Sequence, residues 1–178
     1  TLQDQERRRH VVVTVRDDGL GASRRGDEAE GLVTTREDRF AVLTVLDLLP
    51  KEYRHLFPVG RLDKDTTGLL LLTNDGELTH RMTHPSFETK KNYVARLNKN
   101  LVEKDRLLLE RGILLEGKKT APCSVTQKKS GEVEIVLREG RKRQIRKMFA
   151  CLHYHVKELK RVKEGPLSLG NLKLGAWR

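Results

Sequence analysis

The stretch Gly60-Arg61-Leu62-Asp63-Lys64-Asp65-Thr66-Thr67-Gly68-Leu69-Leu70-Leu71-Leu72-Thr73-Asn74-Asp75-Gly76 reads in three parts. A polar loop carries two carboxylates, Asp63 and Asp65. A short apolar run, Gly68 to Thr73, follows it and is bounded by turn residues, which predicts a fully buried strand. Asn74-Asp75-Gly76 then forms a turn that can also cap a helix beginning near Glu77. An Asp on a loop anchored by a core strand is held more rigidly than one on a free loop, as positioning for catalysis requires. Arg61 and Lys64 add positive charge that favours an ionised Asp63. The competing reading of Asp63 is local, since an Asp in a turn commonly bonds its own backbone.

Outward from this segment the chain alternates strands and short helices. On the N-terminal side, Val11–Val15 is strand-like, Gly19–Asp27 is a Gly- and charge-rich loop, and Leu32–Thr35 suggests a short strand. Val42–Leu49 suggests a helix ending before Pro50, with Val42, Val45, Leu46 and Leu49 on one face. On the C-terminal side, Lys91–Leu97 alternates as a strand with Tyr93, Ala95 and Leu97 on one side. Val102–Leu109 is helical. Ile113–Leu115, Ala121–Gln127 and Glu132–Arg138 read as strands, the last two joined by a Ser130-Gly131 hairpin turn. Gln144–Leu152 is a helix, and Val156–Val162 and Pro166–Leu169 are strands. The order predicts an α+β fold with a mixed, mostly antiparallel sheet and flanking helices. Residues 1–30 form an ill-defined segment, a loop or edge strand, and residues 31–178 one domain.

Charge is segregated along the chain. Residues 1–89 hold 13 basic and 16 acidic side chains, whereas residues 90–178 hold 23 and 9, so the net +11 comes entirely from the second half. The densest runs are Arg138–Lys147 and Lys157–Lys163. A half-chain this basic attracts polyanions, and the abundant cytoplasmic polyanion is nucleic acid. The alternative is a solvated basic face with no partner. No apolar run approaches the roughly 18 residues of a membrane span, and Thr1–Gln5 lacks the apolar stretch of a signal peptide. Cys123 and Cys151 make no CxxC and no disulfide framework, which suits a reducing, cytoplasmic setting. The six histidines show no HExxH and no ligand cluster, so no metal site is expected. No GxxxxGK[ST], GxGxxG or GxSxG is present. Asp63-Lys64-Asp65-Thr66-Thr67 superficially matches the DxDxT nucleophile motif of haloacid-dehalogenase-type phosphatases. There, however, the apolar strand precedes the first Asp, and here it follows.

Taken together, three separated segments resemble the RsuA-like family of bacterial ribosomal-RNA pseudouridine synthases. Gly60–Gly76 resembles its GRLDxxTxGLLLLTNDG signature. Lys91-Asn92-Tyr93 resembles its K-x-Y strand, and Glu139–Met148 its EGRxRQ[IV]RRM element. The likeness runs from about Gly31 to Arg178 and includes Leu159-Lys160-Arg161 and Gly165-Pro166-Leu167. It implies an isomerase that converts uridine in ribosomal RNA to pseudouridine without cofactor or metal, on a fold with a central cleft. It further implies Asp63 as the catalytic carboxylate, Tyr93 stacked on the target uracil, and Arg146 paired with the carboxylate. Arg61, Thr66, Arg141, Lys142, Arg143 and Lys147 are the expected substrate-binding residues. Asp63 could act as nucleophile at C6 of the base or C1′ of the sugar, stabilise positive charge, or take a proton. A monomer is the default expectation. The rival reading is a non-catalytic RNA-binding or ribosome-assembly module.

The chain departs from the family pattern in three places. No S4-type RNA-binding domain is recognisable in residues 1–30. The Lys-Pro core strand expected just before Leu32–Thr35 is absent. His153 stands where the pattern has Gly at a left-handed helix end, at a cost of about 1 kcal/mol. None of these touches Asp63, Tyr93 or Arg146.

Overall fold

The structure, a computed structural model, describes residues 9–17 and 45–178. The Leu32–Thr35 strand, the Gly19–Asp27 loop and the start of the Val42–Leu49 helix lie outside the described residues. The fold is α+β, and its strand pairs are mostly antiparallel. It divides into two compact units. One holds the described residues up to Phe87 together with Ser168–Arg178, and the other spans Glu88–Leu167.

In the first unit, strand β3 (Thr66–Thr73) is the organising element. All four of its leucines are at most 1% exposed, so the apolar run is buried on both faces, as its composition predicts. It pairs antiparallel with β1 (His10–Asp17) along its whole length, Val11 to Val15 facing Leu72 to Gly68. The two-residue strand β2 (Phe57–Pro58) pairs with its last residues. Residues 45–48 form a 3₁₀ turn, where Val45 and Leu46 pack with Leu49, Leu56, Leu62, Leu70 and Leu72 into one core. The far edge of β1 is covered by the C-terminal tail. Val12 and Arg178 exchange two backbone hydrogen bonds of 2.9 Å, and Thr14 bonds Gly175 and Ala176. Covering an edge in this way satisfies its backbone donors and acceptors. Sequence periodicity could not show that β1 has neighbours on both sides.

Helix α1 (Gly76–Thr83) begins where the Asn-Asp-Gly turn predicts. The Asp75 side chain accepts from Leu78 N–H at 3.0 Å, which satisfies one orphan donor of the first turn. It ends ahead of Pro85, with His84 already extended at φ −71°, ψ 133°.

The second unit is built on β4 (Lys91–Leu97), β8 (Glu132–Leu137) and β9 (Val156–Glu164). β4 lies between β8 and β9, antiparallel to both, and β7 (Ser124–Lys129) adds to the outer edge of β8. β5 (Leu114–Leu115) and β6 (Lys118–Lys119) make a small separate hairpin, and the two-residue strand β10 (Leu167–Ser168) falls where the second unit ends in the chain. Helices α2 (Glu103–Arg111) and α3 (Gln144–Cys151) supply Leu109, Ile145, Met148 and Phe149 to a core with Ala95, Leu97, Val133, Ile135 and Leu159. Ala95 and Leu97 therefore share the inward face that alternation predicts. His153 does adopt the left-handed conformation at the end of α3, φ 60°.

Gly112 ends α2 at φ +82°, and a Cβ there would lie 2.2 Å from the Thr120 carbonyl oxygen. Gly112→Ala is therefore expected to cost about 2 kcal/mol or more, from left-handed strain and a backbone clash together. Gly140→Ala, with nothing within 4 Å of its Cβ, is expected to be neutral. Urea unfolding of the two variants measures the contrast.

Candidate active site

Asp63 owes its placement to its neighbours in the first unit. Leu62, 5% exposed, plugs into the core, and Thr66, 1% exposed, opens the buried strand. Between them the chain turns tightly: Thr66 N–H donates to the Asp63 carbonyl at 3.0 Å. Asp65 takes the left-handed conformation inside that turn, φ 64°, which a short polar side chain tolerates better than most. Val59 N–H bonds the Leu71 carbonyl at 2.8 Å and fixes the loop's other end to β3. The half-buried Asp63 is thus pinned on both sides by core residues. Arg61 is exposed in the same loop. The Thr66 hydroxyl is buried and, among the described residues, has no hydrogen-bond partner.

The other expected residues fall in the second unit. Tyr93 is half-buried on β4 beside the core, opposite Ile135 on β8 and Arg161 on β9. Arg146 lies on the first turn of α3, and its Nη1 donates to the Val156 carbonyl at 2.7 Å.

The basic run ahead of α3 splits into two kinds of residue. Arg141 is engaged: its guanidinium donates to the carbonyls of Lys118 and Lys119 at 3.0 and 2.6 Å and lies 3.3 Å from Glu139. Lys147 pairs with Glu116 at 2.6 Å. Lys142 is exposed. Arg143 caps α3 in the left-handed conformation, φ 54°, a strained backbone at the entrance to the helix that carries Arg146.

Sequence reading assigned no role to Gln144 and Glu139, yet they brace this element. Gln144 is 2% exposed; its Oε1 accepts from Arg141 N–H at 3.0 Å and its Nε2 donates to Glu139 at 2.6 Å. The same Glu139 oxygen accepts from Ala121 N–H at 3.0 Å. The visible signal was an amide in the midst of cations, where charge alone gives no reason for it.

A second unassigned group sits beside Tyr93. Arg161 and Glu164, both at most 2% exposed, form a 3.3 Å ion pair on β9, and Lys91 on β4 is paired in register with Glu164. Burial pushes the Glu164 carboxyl above the usual range, and the charges of Arg161 and Lys91 oppose that shift. Burial lowers the Lys91 ammonium, with Glu164 opposing and Arg161 reinforcing the effect. Buried charges of this kind persist only when they are paired.

Removing the Arg141 guanidinium leaves two carbonyls and a carboxylate to find new donors. Arg141→Ala is expected to lose roughly 1–3 kcal/mol of stability, and Lys142→Ala to stay within about 0.5 kcal/mol of the parent. Thermal unfolding followed by circular dichroism distinguishes them.

The chain is similar to known proteins over most of its length. A model of the family described as RNA pseudouridylate synthase matches residues 29–151. The chain is 39% identical over 152 residues to ribosomal large subunit pseudouridine synthase B of Bacillus subtilis, covering 82% of this chain and 62% of that protein. It is 34% identical over 148 residues to the dual-specificity RNA pseudouridine synthase RluF of Escherichia coli, covering 83% of this chain and 50% of that protein. The chain thus spans less than two thirds of these relatives. A crystal structure of a pseudouridylate synthase superposes with a TM-score of 0.82 at 30% identity, covering 97% of this chain and 70% of the other.

Proposed function

Because the chain belongs to the RNA pseudouridylate synthase family, we propose that it isomerises uridine to pseudouridine in ribosomal RNA, with Asp63 as its catalytic carboxylate. One observation supports this above the others: Asp63 is fixed between a buried leucine and a fully buried strand, a rigidity that a merely local turn Asp does not require.

The reaction breaks the N1–C1′ glycosidic bond, turns the base and forms a C5–C1′ bond. Asp63 attacks C6 or C1′, or stabilises charge or accepts a proton at the sugar. Arg146, rigidly held at the start of α3, is assigned to keep the carboxylate charged and aimed. Tyr93 is assigned to stack on the extruded uracil and to assist proton removal at C5, since a base must leave its stack to react. Arg61, Arg143 and the exposed Lys142 suit phosphate contacts, and the buried Thr66 hydroxyl suits a specific polar contact. Arg141 and Lys147 belong to the same basic surface, but their side chains already hold Glu139, Glu116 and the β6 carbonyls, so they contribute mainly field. In this reading the enzyme is cytoplasmic and monomeric and uses no small-molecule cofactor. Among the described residues no helix is long and apolar enough to cross a membrane. The large-subunit name of the Bacillus relative makes unmodified large-subunit ribosomal RNA the first substrate to assay.

Asp63→Asn is expected to abolish pseudouridine formation on that RNA while its affinity, read by filter binding, stays within a few-fold of the parent. A wild-type protein that binds the RNA and makes no pseudouridine would establish the binding-module alternative instead. Arg146→Ala is expected to reduce single-turnover rate far more than affinity. Lys157→Ala, at an exposed position of the second basic run, is expected to affect affinity alone. Equal losses of both quantities in both variants would contradict the assigned roles.

A further inference from the structure

We propose that His80, His84 and Phe87 form a stacking site for an unpaired nucleobase of the RNA substrate, separate from the residues assigned to the reacting uridine; this rests on the RNA-modifying function above. His80 and His84 are one turn apart at the end of α1 and so share a face of the helix. Their ring centroids are 4.8 Å apart. The ring of Phe87 meets both nearly edge-on, at 5.5 Å and 83° to His80 and at 6.3 Å and 75° to His84.

Three features distinguish this cluster from a core aromatic group. All three residues are exposed, and Phe87 is 50% exposed, while the buried side of α1 is supplied by Met82. Neither apolar core includes any of the three rings. The arrangement is also preset. Pro85 stops the helix, Ser86 N–H donates to His84 Nδ1 at 3.3 Å, and the Ser86 hydroxyl lies 2.8 Å from the same nitrogen. With Nδ1 accepting, the proton of neutral His84 resides on Nε2, where it can donate to a base edge or phosphate.

An exposed, partly polar and preorganised cluster of rings suits a nucleobase, because every base has a π-face that can stack on one exposed ring, and single-stranded RNA is recognised by stacking on His, Phe, Tyr and Trp. The flanking carboxylates do not oppose a polyanion strongly. Glu77 is paired with Arg81 at 2.6 Å and Glu88 with Arg138 at 3.3 Å. Phe87 precedes Tyr93 by six positions in the chain, at most about 22 Å when fully extended.

Phe87→Ala and Phe87→Leu in the full chain, with unmodified large-subunit ribosomal RNA transcript as probe, test this. Loss of stacking is expected to weaken the RNA dissociation constant on the order of tenfold in both variants, and Phe87→Trp to restore it. Leucine keeps apolar bulk without a π-face, so its failure to rescue separates stacking from packing. The slope of log affinity against log salt is expected to match the wild type, since a stacked base releases no counterion. Wild-type affinity in both the Ala and Leu variants overturns the stacking site, and so does a slope reduced by about one. An active wild type alongside unaffected variants overturns this site alone. A wild type that neither binds nor modifies RNA overturns both it and the proposed function.

Discussion

Burial of the strand Thr66–Thr73 on both of its faces is the constraint on which the site depends. Leu70 and Leu72 enter the core of the first unit, Leu69 and Leu71 are buried on the opposite face, and β1 lies along the full length of the strand. Pairing with β1 at every position from Thr66 to Thr73 fixes its register. The loop before it inherits that rigidity through Leu62, through the Val59–Leu71 hydrogen bond, and through the turn closed by Thr66 and Asp63. The same strand ends in a compact polar knot. Thr73, fully buried, accepts from Asp75 N–H at 2.9 Å and donates to the Arg9 carbonyl at 3.1 Å, and Asp75 in turn caps α1. One buried strand thus sets both the carboxylate loop at its start and the helix that carries the exposed ring cluster at its end.

The second unit uses the same economy with charge. Its basic surface contains cations with different jobs. Arg141 and Lys147 hold the hairpin β5–β6 and its turn against the entrance of α3, and buried Gln144 and Glu139 lock that entrance. Lys142 remains at the surface for solvent or ligand. Beside Tyr93 the Lys91–Arg161–Glu164 group places three formal charges against the unit's core. Breaking such a group by removing one member commonly costs about 3–5 kcal/mol, because the remaining charge stays desolvated. The group lies on Tyr93's own strand and on β9 beside it.

Much of this was legible in the residues. The apolar run of β3, the Asp75 cap, the alternation Tyr93-Ala95-Leu97, the Ser130-Gly131 turn and the helix after the basic run all follow from local pattern, and each spans only a few residues. The helical face read from Val42 to Leu49 illustrates the limit. Residues 45–48 form a 3₁₀ turn with Val45 and Leu46 packed into the core, and the start of the face read from Val42 lies outside the described residues. Local pattern also gave the residues expected to carry chemistry, Asp63, Tyr93 and Arg146, through motif likeness. It did not give the bracing roles: Glu139 and Gln144 stand inside the EGRxRQ likeness without a role that charge or motif assigns, and Glu164 has no distinctive spacing.

What the sequence determined alone was the longer strands and helices, the segregation of positive charge and the family likeness, because each depends on neighbours in the chain. Tertiary structure decided which charges are buried and which are free to meet a ligand. The register of β4 against β9 brings Lys91 to Glu164, and the tail returns to cover β1 at Val12 and Thr14. Those contacts join residues distant in the chain, and their energies come from desolvation and closure of backbone hydrogen bonds, quantities that exist only once the strands have met.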